Sequence, residues 1–494
     1  MRRPHSISLL GLLFLLLLVS LCSAQAPLFK TPKIFPSGGA YTAGIAVADL
    51  KGDGKLDVVV VDAGGNVCCA YGLVGVLLGN GDGTLQPARN YSTGDFNSDA
   101  VAVADVNRDG KPDILVVGVN TLGVLLGNGD GTFQAVRTYP LNGAGARSLA
   151  VADVNGDGKL DVIVDNDGAD GGQISVFLGN GDGTFKTPET YTTGAFEENS
   201  EGNTVALADV NNDGKLDILV AINFLQTCCE GYFGILLGNG DGTFQPIQTY
   251  DAGGWYATNI VAADLNGDGN IDLITDGNVF LGNGDGTFQP PQRVSNLFGG
   301  GWMVLLADVT RDGILDFLAG DNCPNNCGAK TKDTWAMVGN GDGTFQASPD
   351  FYGGGASAMG VAVGDLNGDG KLDLVVANKC IKGSDCSAGT VGVLLNEFLF
   401  ATTTALSSSP NPSVTGQKVT FTATVASSGS IGPTGKVAFK NGTKTMSTKA
   451  MVNGVATFTK KNLPVGSLSI TATYDGDANC AKSTSQVVIQ VVNP

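Results

Sequence analysis

DVNGDGKLD fills residues 153–161. Four of its nine positions carry a carboxylate or amide oxygen, and two are glycine. The stretch returns six more times, starting at Asp49, Asp105, Asp209, Asp264, Asp308 and Asp365, at intervals of 44 to 57 residues. A repeat of that length marks a propeller or a solenoid. Positions 1, 5 and 9 are aspartate in every copy and position 6 is always glycine.

Such a turn suits a hard cation. Calcium takes six to eight oxygens in a flexible shell. Side chains at positions 1, 3 and 5 of a tightly curled loop can point inward, glycine at 6 permits the bend, and position 7 offers its carbonyl while its side chain varies. A ninth-position aspartate can close the shell. The ligand sets read this way are Asp105, Asn107, Asp109, Lys111 and Asp113; Asp153, Asn155, Asp157, Lys159 and Asp161; Asp209, Asn211, Asp213, Lys215 and Asp217; Asp264, Asn266, Asp268, Asn270 and Asp272; and Asp365, Asn367, Asp369, Lys371 and Asp373. Two copies depart. In Asp308, Thr310, Asp312, Ile314 and Asp316 the third position offers only a hydroxyl. In the copy with Asp49, Asp53 and Asp57 the third position is Lys51, whose ammonium can stand where a metal would. The alternative is an Asx-rich turn that binds nothing. Seven copies with three carboxylates each argue against it, because clustered anions repel unless neutralised. The expected cofactor is Ca2+, about five to seven ions.

Composition agrees. Glycine accounts for 73 of 494 residues, charged residues for 15% and apolar residues for 43%, which suits short strands joined by tight turns rather than disorder. Arg2 and Arg3, an apolar run from Leu9 to Leu21, and Ala24 and Ala26 read as an export signal over residues 1–26. Cys22 keeps a lipoprotein reading open, and an uncleaved anchor is the other alternative. Cleavage would remove His5, the only histidine, and with it every histidine-based nucleophile or zinc site. It would also take the formal charge from −18 to −20 by loss of Arg2 and Arg3. That charge disfavours nucleic acid and favours cations. No later apolar run is long enough for a membrane span, so the expected location is secreted or cell surface.

Around each acidic turn the same elements recur. A run such as AVAVADV at 100–106 precedes it, a β-branched run such as LDVVVVD follows, and VGVLLGNGDGTL at 74–85 or a relative comes next. These read as four strands, A to D, with the acidic turn between A and B. The GNGDGT segments start at Gly79, Gly127, Gly179, Gly238, Gly282 and Gly339; Asn-Gly and Asp-Gly favour hairpin turns, so their aspartates are expected to be structural. The seventh unit stops near Glu397 without a strand D, whereas PLFKTPKIFPSGG at 27–39 resembles one. The N-terminal strand is therefore expected to complete the last blade and remove an open edge. The D-x-N-x-D-G-x-x-D turns and LGNGDGTF segments resemble the FG-GAP/VCBS repeats of integrin-α-type propellers over residues 27–397. That resemblance implies an all-β, seven-bladed β-propeller, calcium at the acidic turns and a role in adhesion or recognition.

Residues 401–494 alternate as half-buried strands at 418–425, 435–440, 454–460 and 467–477. TGKVAFKNG and ITATYDGDANC resemble bacterial Ig-like domains, implying an Ig-like β-sandwich that acts as a spacer. Of the nine cysteines after residue 26, Cys68, Cys69, Cys228, Cys229, Cys323, Cys327, Cys380 and Cys386 fall between strands B and C. Cys323–Cys327 and Cys380–Cys386 are expected to pair locally. Cys68–Cys69 and Cys228–Cys229 are either vicinal bridges or free thiols, and Cys480 is left over.

In an up-and-down blade the acidic turns share one face with the C–D turns, and the B–C and D–A connections share the other. Six residues before each first aspartate the copies diverge: Ala43, Asp99, Arg147, Asn203, Thr258, Trp302 and Met359, with Trp255, Tyr256 and Tyr352 nearby. Loops varying on a rigid scaffold carry binding. Asp99, Arg147, Asn203, Trp255, Tyr256, Trp302 and Tyr352 are the candidate ligand residues; plugging of the channel is the alternative. The expected function is calcium-dependent recognition or adhesion with an extracellular carbohydrate or protein partner. A calcium-assisted polysaccharide lyase and a purely structural envelope protein remain the competing readings.

Overall fold

The computed structural model describes residues 28–494 except 65–70, 169–170, 194–203, 224–230, 254–256, 258, 276, 295–300, 322–333, 348–352 and 382–384. Every regular element among the described residues is a strand. Seven four-stranded antiparallel sheets are followed by a two-sheet unit at the C-terminus. The first sheet runs Thr42–Ala48, Asp57–Asp62, Tyr71–Leu77, Arg89–Phe96, and each later sheet repeats that order of A, B, C and D.

Strand B explains the arrangement. Its residues form an unbroken apolar run because both of its faces are covered. Val58 and Val60 pack towards the seventh sheet, against Val375, Ala377, Val391 and Val393. Val59 and Val61 point the other way, to Ile114 and Val116 of the second sheet. Leu115 and Val117 continue to Val162 and Val164 of the third. The same alternation passes through the remaining sheets until the seventh meets the sixth. Each fully buried valine or leucine contributes roughly 1.5–3 kcal/mol, so the ring is held by seven separate inter-sheet cores rather than one centre. The A strands lie innermost, each beside the A strand of the next sheet, with Thr42–Ala48 between Ala356–Gly364 and Ala100–Ala104.

The seventh sheet draws its outer strand from the start of the chain. Lys33–Pro36 pairs with Thr390–Leu394, Lys33 opposite Val393 and Pro36 opposite Thr390. Proline is tolerated there because the strand is outermost. Upstream, Leu28 and Phe29 are buried between the sixth and seventh sheets, and Lys30 N–H donates to the Leu395 carbonyl at 2.8 Å.

At the C-terminus, Thr402–Ser409, Val419–Ser427 and Val455–Lys460 form one sheet. Val488–Asn493, Gly466–Tyr474, Lys436–Asn441 and Lys444–Ala450 form the main part of the second. Phe421, Phe439, Ile470 and Tyr474 fill the space between them. Arg311 Nη1 donates to Asn479 Oδ1 at 2.8 Å, and Lys371 Nζ donates to the Phe398 carbonyl at 3.1 Å. Both contacts fall on the sixth and seventh acidic turns.

Candidate functional site

Each acidic turn curls around its own side-chain oxygens. In the third, Asp153 Oδ2 accepts from Gly158 N–H at 2.7 Å and Asp153 Oδ1 from Asp157 N–H at 3.2 Å. Asn155 Oδ1 accepts from the same Asp157 N–H at 2.9 Å, and Asp157 Oδ1 from Lys159 N–H at 3.0 Å. The turns beginning at Asp105, Asp209, Asp264 and Asp365 repeat this pattern. Gly158 has φ +79°, a left-handed conformation that a side chain would strain. Position 4 is left-handed too, even where it is not glycine: Arg108, Asn212 and Arg311 have φ of 62°, 58° and 61°.

Asp157 and its position-5 equivalents are exposed, and lysines at position 7 approach them: Lys111–Asp109 at 3.6 Å, Lys159–Asp157 at 2.9 Å and Lys215–Asp213 at 3.3 Å. In the first turn Lys51 Nζ sits 2.6 Å from Asp53 Oδ2. In the sixth, Thr310 is buried and its N–H donates to Asp316, so that turn gathers fewer side-chain oxygens. Lys371 turns away from Asp369 to the Phe398 carbonyl.

The ninth aspartate occupies a place the sequence reading did not assign. Asp57, Asp113, Asp161, Asp217, Asp272, Asp316 and Asp373 are all fully buried. Asp161 Oδ2 accepts from Val154 N–H at 3.1 Å and Oδ1 from Gly179 N–H at 2.7 Å. Both oxygens therefore join the start of the acidic turn to the end of strand C. The other six do the same, with Asn396 N–H replacing glycine for Asp373. Burial pushes their carboxyls above the usual range while the amide bonds pull them back; Asp316 and Asp373 rise to about 6. The donor set fits a hard cation at positions 1, 3 and 5, with the carbonyl of 7 available. It fits less well at position 9, and no three carboxylates among the described residues converge closely enough to form a metal group alone.

The GNGDGT turns lie beside the acidic ones. Asp182 Oδ1 accepts from Thr184 N–H at 3.0 Å and from its hydroxyl, which lowers the Asp182 carboxyl from its ordinary value. Asp82, Asp130, Asp241, Asp285 and Asp342 do likewise. Gly183 N–H then donates to the Val106 carbonyl in the preceding sheet's acidic turn. These aspartates are occupied as turn caps that stitch neighbouring sheets together.

Asn203, Trp255, Tyr256, Tyr352 and the side chain of Trp302 lie outside the described residues, as do Cys68, Cys69, Cys228, Cys229, Cys323 and Cys327. Cys380 and Cys386 are bridged, and Cys480 is a buried free thiol. Asp99 and Arg147 lie at one end of the innermost strands, where Asp99 feels the charge of Arg147 without an ion pair between them. Burial raises the Asp99 carboxyl to about 6, against the opposing pull of Arg147 and Lys379. Asp99 is crowded yet keeps a solvent-reachable edge. Lys379 lies with its ammonium 5.1 Å from the Tyr41 ring centre. A Cβ on Gly44 would meet the Asp99 carbonyl at 2.8 Å, so the first two A strands approach closely here. Sequence reasoning missed Lys379 and Tyr41, because neither stands at a position the repeats compare.

No helix among the described residues is long and apolar enough to cross a membrane. None of the curated proteins matches this chain. Among solved structures, a lectin of Agrocybe aegerita, described for specific recognition of non-reducing terminal N-acetylglucosamine, is 24% identical over 72% of this chain and 94% of its own, with a TM-score of 0.43. A β-fructofuranosidase from Schwanniomyces occidentalis is 11% identical over 96% and 97%, with a TM-score of 0.34. A bacterial Ig-like domain (group 3) matches residues 406–493. The FG-GAP-like repeat matches residues 66–116, 105–164, 166–220, 224–275 and 325–376, which together make up just over half of the sequence. The segments straddle neighbouring sheets and take in the acidic turns that begin at Asp105, Asp153, Asp209, Asp264 and Asp365, and the chain belongs to the FG-GAP-like repeat family.

Proposed function

We propose that this is a secreted, calcium-braced recognition protein that holds a carbohydrate or protein ligand on the face opposite its acidic turns. The observation that carries the reading is the repeated curl of oxygens at positions 1, 3 and 5 on one face of a closed ring. Bound calcium would supply positive charge and a coordination shell there. Asp153, Asn155 and Asp157, with the Lys159 carbonyl, would hold it in the third turn, and the equivalent residues of the second, fourth, fifth and seventh turns would do so in theirs. The ninth aspartates would brace these loops from beneath. The turn with Lys51 is expected to stay metal-free, since its ammonium already meets Asp53. Affinity on the order of 10⁻⁴–10⁻³ M is expected of an extracellular module.

The contacts with the Ig-like unit and the segment leading into it fall on the acidic-turn side. This supports a spacer that carries the ring with its other face outward.

Differential scanning calorimetry with a chelator, then with calcium restored, tests the brace. A lowered melting temperature that recovers with calcium is expected; an unchanged one refutes it. A glycan and protein binding screen of the calcium-loaded protein tests recognition, and silence across both panels refutes that part.

A further inference from the structure

We infer that the channel mouth formed by Asp99, Arg147 and Lys379 binds a uronic-acid unit of an acidic polysaccharide. This deepens the recognition reading and rests on it.

The three side chains come from different sheets: Asp99 from the start of the second, Arg147 from the third and Lys379 from the seventh. Ring closure brings them to one end of the innermost strands. Neither Arg147 nor Lys379 forms an ion pair among the described residues, and the Arg147 Nε is buried without a hydrogen-bond partner. A buried guanidinium N–H left unbonded is costly, and a carboxylate is the group its planar fork matches. Lys379 keeps its ammonium over the Tyr41 ring, a contact that uses the ring face and leaves its N–H groups free. Tyr41 is itself held at φ +61°, a strained backbone for a bulky residue and one that clusters at binding sites.

The mixture of groups selects the ligand. Two cations call for a negative acceptor, whereas Asp99 beside them calls for a hydrogen-bond donor. Sulfate brings acceptors only and would set an anion against Asp99; phosphate adds a P–O–H donor but sets a more concentrated negative charge beside that carboxylate than a uronate does. A uronate carries its carboxylate and several hydroxyl donors on one ring. A peptide C-terminus carries a carboxylate with a single adjacent N–H, a poorer match to the set. The acidic turns lie at the far end of the ring, so their charge does not face this mouth.

The test is isothermal titration of the purified protein at fixed calcium. The probes are trigalacturonate, its methyl ester, maltotriose and a peptide with a free C-terminal carboxylate. Trigalacturonate should bind, with the ester and maltotriose at least about tenfold weaker, and Arg147→Met should weaken it by about tenfold or more, as loss of a charged hydrogen bond does. Lys379→Met should weaken it in the same direction, with the calcium response unchanged. Equal binding of acid and ester, or parental affinity in both variants, would overturn the assignment. If Arg147→Met fails to fold, Lys379→Met and the acid–ester comparison still decide. Binding of maltotriose or the peptide alone removes the uronate site and leaves recognition standing. Failure of every probe removes the uronate site, and the broader screen then decides recognition separately.

Discussion

Asp99 shows how one residue's environment exceeds what its letter conveys. As a carboxylate in a repeat position it is unremarked by composition, yet the mouth of the channel raises its pKa to about 6. The folded protein therefore keeps a proton that the unfolded chain releases between about pH 4 and about pH 6. Stability from this group is full below that window and is lost as pH rises through it. Asp99→Asn should flatten that part of the pH profile and melt higher than the parent near neutral pH. Calorimetry of both proteins across the window checks this, the difference isolating Asp99 from the buried ninth aspartates; superimposable profiles would contradict it. Arg147 and Lys379 oppose the shift, so removing either should raise the Asp99 pKa further.

The strand-turn-strand element was largely legible from spacing. An unbroken β-branched run implies a strand covered on both faces, and Val58 to Val61 are all at 0% exposure. Glycine at position 6 permits the bend, and the structure shows all seven left-handed. The ninth aspartate was not legible, because its partners come from the end of strand C, a separate part of each repeat. Two substitutions separate its role from that of position 5. Asp161→Asn leaves one amide facing an NH2 group and should cost about 1–3 kcal/mol with or without calcium. Asp157→Asn, on an exposed pair with Lys159 that contributes little, should be near neutral without calcium and should shrink the calcium-dependent rise in melting temperature. Thermal melts of both variants in each condition provide the check; equal behaviour would remove the distinction.

At the scale of the whole molecule, closure decides integrity. The outer strand of the seventh sheet lies at the opposite end of the chain from its partners, and Leu28 and Phe29 seal the neighbouring core. Deleting residues 28–36 should expose the edge of Thr390–Leu394 and forfeit roughly 3–6 kcal/mol from those two side chains alone. Light scattering after gel filtration should find association, and calorimetry a broadened, lower transition. A monomer that melts like the parent would show that the ring does not depend on this strand. The Ig-like unit adds a contact through Asn479 to the sixth turn, and the segment leading into it adds one through Phe398 to the seventh.

The amino-acid order alone determined the strand period, the acidic turns, the repeated four-strand unit and the family, because each is written in local spacing and copied in phase along the chain. Tertiary structure decided the rest. Whether a carboxylate faces solvent or two amides, and whether Asp99 feels the charge of Lys379, depends on which distant segments the closed ring makes neighbours, and no periodicity within a repeat records that.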